Sequence, residues 1–112
     1  MKSQEFKQEL QKIMPGYKWS VHRVIVPGEL VATGTQSSGF NRLSTLCVER
    51  RDRDGVITYL AKSSGYGAKS PWLASATGGT LAQSLRALQD EYEHMASTYL
   101  SHASALKNAR KV

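Results

Sequence analysis

Two short repeats in the middle of the chain, Ser37-Ser38-Gly39-Phe40 and Ser63-Ser64-Gly65-Tyr66, each set an aromatic ring directly after a serine-serine-glycine turn. If both turns emerge on one side of a sheet, Phe40 and Tyr66 stand beside Arg42 and Lys69. That combination suits a nucleic-acid strand, because rings stack on bases, cations neutralise phosphates, and free amides or serine hydroxyls hold phosphate oxygens. Both rings also fit the plainer role of core anchors beside turn glycines. Arg50, Arg51 and Arg53 form the densest cationic cluster, but Glu49, Asp52 and Asp54 interleave with them and offset much of the local field.

Signatures of catalysis or metal binding are weak by comparison. Gly65-Tyr66-Gly67-Ala68-Lys69-Ser70 departs from a phosphate-binding loop, since Ala68 separates the glycine from the lysine. Cys47 and His22 could form a thiolate pair in principle, yet on sheet strands each reads more simply as a packing residue. Glu91-x-x-His94 occurs once, whereas a carboxylate-bridged di-metal site needs two such helices. The expectation is therefore a binding protein and not an enzyme, with no catalytic residues, no metal and no cofactor.

At 112 residues, 40% hydrophobic and 21% charged, the chain has the size and composition of one domain with its own core, residues 1–112, with 107–112 as a basic tail. No apolar run approaches the length of a membrane span, the first residues do not read as a secretory signal, and a lone cysteine fits a reducing compartment. A cytoplasmic location is expected. The net charge of +6 favours a polyanionic partner, DNA or RNA. Eight cations face four acids between residues 17 and 70, so the positive surface is expected on the central sheet.

The elements that position these residues follow from periodicity. Ser3 reads as an N-cap, and Phe6, Leu10, Ile13 and Met14 recur at helical spacing until Pro15-Gly16. Tyr17, Trp19, Val21 and Ile25 then alternate as a strand, Pro27-Gly28 turns into a second at 29–36, and residues 37–42 read as a polar loop. Leu46 and Val48 face one way in a third strand and Thr45, Cys47 and Glu49 the other. Asp54-Gly55 turns into a fourth at 56–62. Residues 63–79, rich in glycine and serine, read as an irregular connection anchored by Trp72 and Leu73. Thr80 with Gln83 forms a capping box opening a last helix, whose Leu81, Leu85, Leu88, Tyr92, Met95, Tyr99, His102 and Leu106 repeat in four-three spacing.

That helix is too long for its domain. About 27 residues at ~1.5 Å each reach roughly 40 Å, against a radius of gyration near ~13 Å for a domain of this size. Part of it should overhang, and its apolar stripe then frays or pairs. Tyr92, Met95, Tyr99 and Leu106, with Trp72, are the candidate interface for a homodimer or a protein partner.

The segment GTQSSGFNRLSTL from Gly34 to Leu46, with the later SSGYG and PWL, resembles small uncharacterised proteins of bacterial phages and prophages. That resemblance implies the cytoplasm of a bacterial or phage-infected cell, and transfers no activity or site residue. The helix–strands–helix order resembles the double-stranded-RNA-binding fold, and the sheet-then-helix portion resembles single-stranded-DNA-binding coactivator domains. The first of these families has three strands and a lysine-rich start to its last helix, whereas Thr80 to Leu85 holds no lysine. Together these readings predict an α+β domain: a four-stranded antiparallel sheet with an N-terminal and a long C-terminal helix (αββββα) on one face. The open face would bind nucleic acid through Arg42, Lys62, Lys69, Phe40, Tyr66, Arg50 and Arg51. The alternative is a protein-interaction module, such as a phage-encoded modulator of a host protein.

Overall fold

The computed structural model describes residues 1–22, 24–38, 41–64 and 72–110, and only the backbone of 37, 38 and 41–43. Phe40, Tyr66 and Lys69, and the side chain of Arg42, lie outside the described residues. The described chain runs α1 (Ser3–Ile13), β1 (Lys18–His22), β2 (Glu29–Ser38), β3 (Asn41–Arg53), β4 (Val56–Ser64), β5 (Trp72–Gly78) and α2 (Leu81–Ala109). The sheet is antiparallel, and its spatial order is its sequence order, β1-β2-β3-β4-β5.

The sheet has five strands where the sequence predicts four. β5 takes most of the segment read as an irregular connection, pairing Ala76 with Ala61 and Ala74 with Ser63. Its residues do alternate, but as alanine against serine and threonine, so the contrast in hydrophobicity is slight. The small size has a structural cause, because α2 lies directly on this strand. A Cβ on Gly78 would come within 2.7 Å of the Ser84 backbone nitrogen.

Other boundaries also shift. Strand β1 ends at His22, and Ile25, expected to continue its alternation, is fully exposed. Strands β2 and β3 extend into the expected loop, pairing Ser38 with Asn41. Helix α1 begins at Ser3 after Lys2, with no side-chain cap, so Ser3 is not the N-cap. At α2 the capping expectation holds: Thr80 Oγ1 accepts from the Gln83 amide at 3.1 Å, while Gln83 reaches back to the Gly79 amide. Asp54 and Gly55 turn β3 into β4 with φ of 55° and 82°, the left-handed pair a two-residue hairpin requires.

Cross-strand register sorts the two faces. Trp19, Ala32, Leu46, Val48, Tyr59 and Ala61 point to the covered side and join Phe6 and Leu10 of α1 and Leu81 and Leu88 of α2 in one apolar cluster. Helix α1 lies over β1 and β2, and α2 over β5 and β4. Both helices therefore back one face; on the other no described helix or strand lies, although Thr45, Cys47 and Ser64 at its centre are buried. The Trp19 indole N–H donates to the Met14 carbonyl at 3.0 Å, tying the end of α1 to the first strand.

The radius of gyration is 17.2 Å and the longest extent 61 Å. Both exceed what a compact chain of this length needs. The excess is α2, whose residues from Ala96 onward are all exposed. No helix of the described residues is long and apolar enough to cross a membrane.

Candidate nucleic-acid interface

On the open face, residues that lie directly opposite one another form rows across the sheet. One row reads Lys18, Thr35, Thr45, Ser64 and Trp72, one residue from each strand. The next reads Ser20, Thr33, Cys47, Lys62 and Ser75. Together they make a track of hydroxyls with a lysine at one edge and a lysine and an indole at the other. Adjacent strands ~4.8 Å apart give it a span of about 19 Å. It contains no acidic residue.

The indole end has defined geometry. Trp72 is 47% exposed, and the Lys62 ammonium sits 5.0 Å from its ring centroid. A bulge at Ser63/Ser64 lets Trp72 turn to the open face, while Leu73 turns to the helix side and lines a cleft with Tyr92 and Tyr99. The interface expected to unite Trp72 with Tyr92, Met95, Tyr99 and Leu106 is therefore split between two sides of the sheet. In the middle of the track, Thr45 Oγ1 is buried and, among the described residues, lacks a hydrogen-bond partner.

The opposite end of the same face is electrically quenched. Arg51 lies 3.7 Å from Glu29 and 3.8 Å from Glu49, and Arg53 lies 3.5 Å from Glu29. Arg51 is thus on the open face as expected, but its charge is shared with two carboxylates. Arg50 is not on that face. Alternation turns it to the helix side, where it is 8% exposed and its Nε donates to the Tyr59 hydroxyl at 3.1 Å. Of the cations expected to line the open face, Lys62 is the described one that stands there without an ion pair.

Comparison with protein-family models, curated proteins and solved structures returned no match. The reading of this surface consequently rests on its own chemistry.

Cys47 and His22 share the open face without forming a pair. Thr33 stands directly opposite Cys47 and holds His22 Nε2 at 2.7 Å through its hydroxyl. Burial pushes the Cys47 thiol up, against a smaller opposing pull from Lys62. A thiol held protonated in this way is a poor nucleophile. Cys47 is expected to react with an aromatic disulfide reagent at mildly alkaline pH far more slowly than free cysteine, and at the free rate only in denaturant. Burst labelling of the folded protein would refute this. Because the folded pKa is the higher one, the contribution of Cys47 to stability is complete below the ordinary thiol range and falls as pH rises through the raised value. Cys47→Ala should flatten that decline.

Sequence reasoning missed Lys18 and Thr45 and placed Trp72 with the wrong partners. The outward set Lys18, Ser20 and His22 was readable from the alternation that buries Trp19. Trp72 was not, because its direction depends on a bulge that sequence does not announce.

Proposed function

We propose that the protein binds nucleic acid on the open face of its sheet, with a single strand lying across the track from Lys18 to Trp72. The observation that carries this reading is the half-exposed Trp72 ring beside Lys62, at one edge of a five-residue row across the sheet that holds no acid. A flat ring and adjacent ammonium give a base something to stack on and its phosphate a counter-charge, without reading sequence. The hydroxyls of the track that reach the surface, on Ser20, Thr33, Thr35 and Ser75, are donors to phosphate and sugar oxygens, whereas Thr45 and Ser64 are buried. A duplex fits less well, since the described track lacks a protruding helix or ribbon to enter a groove.

Fluorescence anisotropy with short single-stranded and duplex oligonucleotides across a salt series tests the proposal. Single strands should bind more tightly than duplexes, and affinity should fall steeply with salt. Trp72→Ala should weaken single-strand binding by about 1–3 kcal/mol, the usual worth of a stacked base. Lys18→Glu and Lys62→Glu should each flatten the salt slope, whereas Lys7→Glu on α1, across the sheet from the track, should not. No binding at low salt, or equal losses from Lys7→Glu and Lys62→Glu, rejects this face as the site.

A further inference from the structure

Helix α2 leaves the sheet near Met95 and continues to Ala109 with no covering element among the described residues. Its apolar stripe does not stop where the sheet does. Tyr99, Leu100 and Leu106 are exposed to 70%, 69% and 70%. At the point of departure lies an apolar cleft of about 380 Å³, lined by Leu73, Tyr92, Met95, Ala96 and Tyr99. Leu73 is itself exposed, brought to this side by the bulge in β5.

Charge along the helix is polarised. Its first half carries Arg86 against Asp90, Glu91 and Glu93, and Arg86 and Asp90 are 3.6 Å apart, leaving the two glutamates unneutralised. No acid follows Glu93 in the sequence, while Lys107 and Arg110 close the described helix. Two such helices side by side in parallel would set like charge against like. Reversed, they match, and the helix dipoles oppose as well.

We propose that two copies of the chain pair antiparallel through the overhanging part of α2, with Leu106 of each seated in the cleft formed by Leu73, Tyr92, Met95 and Tyr99 of the other. The four-three spacing sets the alignment. Layers in an antiparallel pair match the two stripe positions against each other, which places Met95 opposite Leu106 of the second copy and Tyr99 opposite its His102. In that register Lys107 and Arg110 lie on the same flank of the seam as Glu93 of the second copy, with its Glu91 at the same level on the other flank. Ala96 and Ala103, next to the stripe, are small enough for close approach. The overlap is short and buries on the order of 1,000 Å² in total, at the low end for a specific interface, so the dissociation constant should be on the order of micromolar. The proposal uses the helix side of the sheet and is independent of any ligand on the open face.

Sedimentation equilibrium of the full chain over a wide concentration range tests it. The expected result is a monomer–dimer equilibrium. Leu106→Glu alters a residue with no packing role in the single chain, so it should abolish the dimer while leaving the circular dichroism spectrum and melting temperature of dilute protein unchanged. Two charge variants sharpen the test: Glu91→Lys with Glu93→Lys in one, Lys107→Glu with Arg110→Glu in the other. Each alone should dimerise at least tenfold more weakly, and an equimolar mixture should recover the wild-type affinity. A wild-type chain that stays monomeric at millimolar concentration, a Leu106→Glu dimer, or charge variants that dimerise alone as well as wild type would each overturn the proposal.

Discussion

Phe6→Ala is expected to lower the unfolding free energy by about 3–5 kcal/mol, the usual cost of deleting a fully buried aromatic side chain. Helix α1 buries only Phe6 and Leu10 completely, so these two residues hold it on β1 and β2. Its first turn has no side-chain cap, and an isolated helix of eleven residues is marginal in water. Tertiary packing therefore supplies nearly all of its stability. A small domain has about 5–15 kcal/mol in total, so the substitution removes a large share. The melting temperature should fall by roughly 15–30 °C. Thermal denaturation followed by circular dichroism measures this, and a drop of only a few degrees would mean that α1 is not docked as described.

The second large effect is expected at Gly34, where the sign of the change is diagnostic. Glycine inside a strand ordinarily costs stability, so adding a side chain there should help. Here a Cβ would lie 2.9 Å from Trp19 Cζ3 and 3.0 Å from Cε3. The ring has little freedom to yield. Its N–H is held by the Met14 carbonyl, and Tyr17 packs against it with ring centroids 5.8 Å apart. Tyr17 is in turn fixed by a 2.7 Å hydrogen bond between its hydroxyl and Ser44. Gly34→Val should then cost about 3 kcal/mol through overpacking. In a Trp19→Leu background the same substitution should cost much less, because the partner it strikes is gone. Urea titrations of the four proteins decide it, and a Gly34→Val protein as stable as wild type would remove the account of how β1 sits on β2.

How much of this was legible depends on how strongly each element advertises itself. α1 and α2 carry large apolar residues at helical spacing, and β3 sets Leu46 and Val48 against Thr45 and Cys47, so their existence and facing followed from pattern alone. β5 did not, because a strand pressed under a helix is built from alanines and glycine, whose contrast with serine is faint. The fate of the arginines was half legible: the interleaved Glu49 foretold a partner for Arg51, but Glu29, which pairs with both Arg51 and Arg53, comes from β2 and needed the strand register. Arg50 required knowing which parity faces the helices. That parity was available from Leu46 and Val48, four and two residues earlier on the same strand. The overhang of α2 was foreseen by comparing lengths, but its cleft was not, since it depends on Leu73 turning away from Trp72.

Because each described strand hydrogen-bonds to its neighbours in sequence, no pairing among the described residues has to wait for a distant segment. Such local wiring favours rapid folding. During synthesis the hairpins can close one after another as the chain emerges, with each newly made strand docking on the one before it. The helix-facing apolar surface is completed only when α2 arrives, so the nascent chain remains sticky on that side until that helix has been made.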